Sequence, residues 1–125
     1  MHVQTYKDLV VWKKSMDTVV EIYKLMPLLP KEEIYGLASQ MKRAAISIPS
    51  NIAEGFHRKH SQEQRQFLSI AYASGAELET QIEIGRRLKF FDSINTEKID
   101  QLLDEVMRML NTLSSPHRSV LGTKF

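Results

Sequence analysis

Two kinds of side chain in this sequence could do chemistry. The first is a carboxylate and an imidazole one helical turn apart, in Glu54-Gly55-Phe56-His57. In helix bundles, two Glu-x-x-His motifs and two further glutamates hold a di-iron or di-manganese centre. This chain supplies one such motif. His2, His60 and His117 have no acid three residues before them, and Glu79 and Glu83 share a helix face with no second histidine. Glu54 and His57 therefore read as a solvated helix end, and no metal or cofactor is expected. Gly-x-Ser-x-Gly, His-Glu-x-x-His, the phosphate loop and the dinucleotide fingerprint are all missing, and no Ser/His/Asp set follows from spacing. Without cysteine there is no thiol catalysis, no zinc–thiolate site and no disulfide. The expectation is a protein that is not an enzyme and has no catalytic residues.

The second kind is basic. Lys42 and Arg43 come early in a helical stretch, Arg58 and Lys59 sit at its end between His57 and His60, and Arg65 follows. Arg86, Arg87 and Lys89 crowd the end of the next stretch, whereas Asp92, Glu97, Asp100, Asp104 and Glu105 make the last one acidic. The net charge is only +2, but segregated charge allows a basic face on a nearly neutral protein. Lys42, Arg43, Arg58, Lys59, Arg65, Arg86 and Arg87 are thus candidate contacts to RNA or DNA. The competing reading is solvated charge, with cations late in a helix complementing its dipole. The alternative function is a structural or adaptor protein whose partner is another protein.

The elements that must position these groups are helices. A chain of 125 residues makes one domain. Thr5-Tyr6-Lys7-Asp8 has capping-box spacing, and the helix after it places Leu9, Trp12, Met16, Val19, Tyr23 and Met26 on one stripe, a three-four alternation. A second helix opens at Lys31-Glu32-Glu33 and turns Ile34, Leu37, Met41, Ala45, Ile48, Ile52 and Phe56 inward. Pro49 lies inside it, where proline removes an amide donor and crowds the carbonyl of Ala45. The apolar phase continues through Pro49, which predicts one kinked helix rather than two, with Ser47, Ser50 and Asn51 as local groups to satisfy freed carbonyls. Ser61 and Gln64 have the spacing of a second capping box, ahead of an inward stripe of Phe67, Ala71, Ser74, Leu78, Ile82 and Leu88. Small residues from Ala71 to Ala76 mark a close helix crossing. Asn95 or Thr96 caps a fourth helix with Ile99, Leu102, Leu103, Val106, Leu110 and Leu113 inward.

The expected fold is all-α: an antiparallel up-down four-helix bundle over residues 1–116, with a proline-kinked second helix and a flexible tail at 117–125. No stretch resembles a signal peptide or approaches about 18 consecutive apolar residues, so no membrane is expected and the location is read as cytoplasmic. Val10, Val20, Phe90 and Phe91 are apolar residues left beyond the stripes. They are the expected contacts of a homo-oligomer, because a monomer usually avoids a large exposed apolar patch.

Several stretches resemble a small family of four-helix bundle proteins similar to the intervening-sequence proteins encoded in some bacterial large-subunit ribosomal RNA genes. They are Leu9-Val10-Val11-Trp12-Lys13, the run from Gly36 to Ala45, Phe67-Leu68-Ser69-Ile70-Ala71, and Ser74 with Glu77-Leu78-Glu79-Thr80. The most distinctive is Ser47-Ile48-Pro49-Ser50-Asn51-Ile52-Ala53-Glu54-Gly55, and the likeness covers about residues 6–113. It implies an antiparallel bundle assembled as a ring-like homopentamer. Similar accessory proteins of diversity-generating retroelements bind nucleic acid and a reverse transcriptase through a basic surface. Where the family often has a basic residue and a glycine before the serine of the third helix, this chain has Tyr72 and Ala73, so one charge that could meet a ligand is missing.

Overall fold

The computed structural model describes residues 3–115; residue 116, the expected tail at 117–125, His2 and His117 lie outside the described residues. Four helices form: α1 Val10–Leu25, α2 Leu37–Phe56, α3 Ser61–Arg87 and α4 Glu97–Leu113. No strand occurs among the described residues. Each helix packs on the next in the chain, and α4 packs back on α1. Side-chain pairs give the directions. Tyr6 meets His57 and Tyr23 meets Lys42; Ser47 meets Ser74 and Arg58 meets Phe67. Gly75 faces Met107 and Arg86 bonds Asp100; Lys14 pairs with Glu105 and Glu21 with Lys98. In each set one number rises as the other falls, so packed neighbours run in opposite directions.

The capping box at Thr5 forms, with Asp8 Oδ2 accepting from the Thr5 amide at 3.2 Å. It closes a 3-10 turn, Tyr6–Asp8, and α1 starts only at Val10. The buried face of α1 is Val11, Ser15, Thr18, Ile22 and Leu25. This corrects the expected inward stripe: Met16 and Tyr23 are exposed, Trp12 and Val19 half-buried. The physical reason is that Ser15 and Thr18 are not polar toward the core. Their hydroxyls donate to the carbonyls of Trp12 (2.7 Å) and Lys14 (2.8 Å) on their own helix, which removes the cost of burial.

The second helix starts later than expected. Lys31–Glu33 is a separate 3-10 turn, and Glu33 Oε1 accepts from the Leu37 amide at 3.1 Å, so the α-helical run begins there. Ile34 and Tyr35 are consequently exposed, Tyr35 almost fully (96%). From Leu37 the helix runs through Pro49 without interruption, as one element rather than two. Asn51 Nδ2 donates to the Ser47 carbonyl (2.8 Å) and the Ser47 hydroxyl (2.9 Å), and that hydroxyl meets Ser74 at 2.8 Å. The amide thus serves Ser47 and not Ala45, the residue that proline deprives of a donor.

At its end α3 closes with two reciprocal bonds, Phe90 N–H to the Gly85 carbonyl (3.0 Å) and Lys89 N–H to that of Arg86 (2.9 Å). This is the Schellman arrangement, whose residue after the cap is left-handed and usually glycine. Here it is Lys89, at φ 64°. Left-handed backbone costs an L-residue about 1–2 kcal/mol, offset in part by glycine's greater freedom in the unfolded chain. Lys89→Gly is therefore expected to stabilise the fold by about 0.5–1 kcal/mol, read as a higher thermal midpoint. An unchanged or lower midpoint would show that Lys89 is held by contacts worth more than its strain. Beyond this turn Phe91 is buried, and α4 starts with Asn95 Oδ1 accepting from the Glu97 amide at 2.8 Å. The α4 core face is Ile99, Leu103, Val106, Met107 and Leu110.

Candidate nucleic-acid interface

The antiparallel packing of α2 and α3 divides the seven candidate cations between two ends of the bundle. Lys42 and Arg43 lie in the second turn of α2, in the half of the bundle where α3 ends with Arg86 and Arg87. Arg58 and Lys59 lie in the α2–α3 connection, and Arg65 in the second turn of α3. At 1.5 Å per residue, Arg43 and Arg58 are about 22 Å apart along the helix axis. One copy therefore does not bring all seven together.

Partners separate them further. Arg86 donates to Thr96 Oγ1 (2.9 Å) and Asp100 Oδ1 (2.7 Å), tying the end of α3 to the start of α4. Arg87 donates to Glu83 at 3.0 Å. Arg86 is thus held by two partners across the α3–α4 turn, whereas the Arg87–Glu83 pair is an exposed contact within one helix. Arg58 is 3.7 Å from Glu54, its guanidinium 4.7 Å from the Phe67 ring centroid, and its Nε is buried without a partner. Lys42 lies 6.0 Å from the centre of the Tyr23 ring. Among the described residues Arg43, Lys59 and Arg65 are in no ion pair, and Arg43 and Lys59 are exposed.

The α2–α3 connection has a second property that suits an anion. Ser61 does not cap α3; the cap position is His60, and no side chain bonds the first-turn amides. The expected Ser61–Gln64 box fails because Gln64 turns inward. It is fully buried, its Nε2 donates to the Arg58 carbonyl at 2.8 Å, and its Oε1 has no partner. The α3 amides are left to solvent or a ligand, with Lys59 just before them and Arg65 just after. Helix N-termini attract phosphate through unsatisfied N–H groups and the dipole. Lys7 reaches the same end of the molecule, because Tyr6 stacks edge-on against His57 with ring centres 5.6 Å apart. Sequence spacing gave no sign of Lys7, which reads there only as part of a cap.

Glu54 and His57 do not converge on a shared site. Glu54 faces Arg58, and His57 is edge-on to both Tyr6 and Phe56. No group of three or more His, Cys, Asp or Glu residues that could hold a metal occurs among the described residues. No helix there is long and apolar enough to cross a membrane.

The four expected interface residues also part company. Phe91 is buried, 3% exposed, because its ring sits over Gly85, and Phe90 is half-buried against the core. Phe91 is core and not interface. Val10 and Val20 are exposed, but Val10 borders a groove with Arg108, Met109 and Leu113 of α4. Val20 lies one turn from Met16 and is about half exposed.

The family model described as 23S rRNA-intervening sequence protein matches residues 7–112. Among solved structures, a protein of unknown function from the S23 ribosomal protein family of Bacteroides thetaiotaomicron is similar, with a TM-score of 0.72 and 24% sequence identity. The match covers 85% of this chain and 99% of that one, and it shows a shared fold. No curated protein matches.

Proposed function

The chain belongs to the 23S rRNA-intervening sequence protein family, and from that premise we propose that it is a non-enzymatic, cytoplasmic helical bundle that self-associates and binds nucleic acid through basic residues. The observation that carries the reading is the start of α3, which lacks a side-chain cap and stands between Lys59 and Arg65. Phosphates of RNA or DNA fit such a site, since uncapped amides and flanking cations recognise charge and not base sequence. Arg58 and Lys7 extend the same end. Arg43 and Lys42 form a second, smaller group that reaches the same strand only if copies assemble, which is where self-association supports binding. Five copies is the number the family resemblance implies.

The test is a gel-shift series with a single-stranded RNA and a duplex DNA at rising salt. Each phosphate neutralised contributes about −0.7 to −0.9 to the slope of log K against log salt. Lys59→Glu combined with Arg65→Glu is expected to weaken binding roughly 10- to 100-fold, whereas Arg87→Ala should change it less than about threefold. Absence of binding to either probe at low salt, or equal loss from both variants, would overturn the reading.

A further inference from the structure

Two features of the sequence leave the bundle open at one corner. The capping box commits the residues before α1 to a 3-10 turn, Tyr6–Asp8, while α4 runs on to Leu113. Lys14 pairs with Glu105 and Glu21 with Lys98, so α4 falls by seven as α1 rises by seven, and Val10 stands level with Met109. The last turn of α4 therefore runs beside the 3-10 turn and not beside a helix. What results is an apolar groove of about 440 Å³, lined by Leu9, Val10 and Val11 on one side and by Met109 and Leu113 on the other. Leu9 and Val11 are buried, Met109 and Leu113 half-buried, and Val10 is 46% exposed. Two charged residues also line the groove, Asp8 and Arg108, and Arg108 pairs with Asp104 of its own helix at 3.0 Å.

The geometry points to the chain's own residues 117–125 as the occupant, folded back so that Val120 and Leu121 lie against Val10 and Met109. The first support is where the segment starts. The Ser114 hydroxyl donates to the Leu110 carbonyl (2.7 Å) and the Ser115 amide to that of Thr112 (3.3 Å), which closes α4. Pro116 cannot then continue the helix. The chain thus leaves α4 two residues past Leu113, itself a wall of the groove. The second support is reach. Five extended residues, from Ser115 to Val120, span about 17 Å. The groove follows α4 from Leu113 back to Arg108, about 7.5 Å at 1.5 Å per residue, so Val120 and Leu121 arrive with slack for the reversal. The third is composition. His117-Arg118-Ser119-Val120-Leu121-Gly122-Thr123-Lys124-Phe125 offers the apolar Val120, Leu121 and Phe125, the cations Arg118 and Lys124, and no acid. Arg118 suits Asp8, whose carboxylate is oriented by the amides of Gln4 and Thr5 and has room to accept from a guanidinium as well. A separate molecule would compete with a tether of a few residues, which sets a local concentration of about millimolar order. Val10, expected as a contact between copies, is then covered by its own chain.

Trypsin cleavage after Arg118 in the full chain reads docking directly, when it is followed by mass and divided by the rate for a free peptide of residues 115–125. Cleavage tracks the population of the open form where opening is fast. Leu121→Asp, normalised to its own peptide, is expected to raise the rate at least about tenfold and to move the methyl resonance of Met109. Val10→Asp acts from the groove side and should release the segment to the same extent. The double variant should add nothing further, as residues in contact do. Residue 121 follows the bundle in sequence, so Leu121→Asp keeps the helices even where Val10→Asp does not, and circular dichroism checks both. A wild-type rate equal to that of the peptide, or indifference of both readouts to Leu121→Asp, would overturn the proposal. Additive effects in the double variant would overturn the contact between Val10 and Leu121. Protection lost on dilution from about 100 to about 1 μM would assign the groove to the same segment of a second copy and overturn docking within the chain.

Discussion

Replacing Phe91 with alanine is expected to lower stability by about 3–5 kcal/mol, the usual cost of deleting a buried phenyl ring. The ring is 3% exposed and lies over Gly85, where a built Cβ would collide with its edge. It therefore locks the turn after α3 to the helix it has just left. Gly85 completes the fit, and its replacement by alanine has two opposed effects. Helix propensity improves by up to about 1 kcal/mol, while the new methyl displaces a rigid ring and costs about 1–3 kcal/mol. The net is a loss in the wild-type background. In the Phe91→Ala background the obstacle is gone, so Gly85→Ala should become neutral or stabilising. Urea midpoints of the two single variants and the double variant check this. A loss of equal size from Gly85→Ala in both backgrounds would show that the glycine serves the backbone and not the ring.

That pair also shows where sequence reading ends. Phe90 and Phe91 both lie past a helix end, and nothing in their spacing says which one turns in. The answer depends on a gap at Gly85, six residues earlier, which spacing cannot weigh. In α1 two three-four series compete, Leu9-Trp12-Met16-Val19-Tyr23 and Val11-Ser15-Thr18-Ile22-Leu25. Hydrophobicity favours the first. The structure buries the second, because Ser15 and Thr18 bond back to their own helix and because small side chains fit between neighbouring helices. Where no such competitor exists the periodicity reads well. The α4 core is Ile99, Leu103, Val106 and Leu110 as expected, with Met107 added, and α2 keeps Met41, Ala45, Ile48 and Ile52 inward.

The candidate site was legible by residue type and not by partner. A sequence shows that Arg86 is a cation late in a helix. It does not show that Asp100, fourteen residues on, returns to within 2.7 Å of it. Nor does the Ser61–Gln64 spacing reveal that burial of Gln64 outweighs capping and leaves the α3 amides open. These are consequences of helix packing, which sets the neighbours of each side chain only after the stripes have met.

The crossing of α3 and α4 yields the second large effect. Gly75 is buried, and a Cβ built on it would strike the Met107 sulfur. The cluster of small residues around it serves two neighbours. Ser74 faces Ser47 on α2, while Gly75 admits Met107 from α4. Gly75→Ala should be mild, since a thioether can swing aside and the helix gains propensity. Gly75→Leu is different. A leucine needs the whole space that Met107 occupies, and α4 has its remaining core residues engaged on either side. The expected loss is about 3 kcal/mol or more, the upper range for overpacking. If competition for that volume is the cause, Met107→Ala should relieve it. Met107→Ala alone is expected to cost about 2–5 kcal/mol through a cavity, yet the double variant should lie within about 1.5 kcal/mol of the wild type, as volume-conserving exchanges do. Additive losses in the double variant would show that leucine forces the helices apart by another route, and that the glycine sets the α3–α4 distance through backbone approach rather than through Met107.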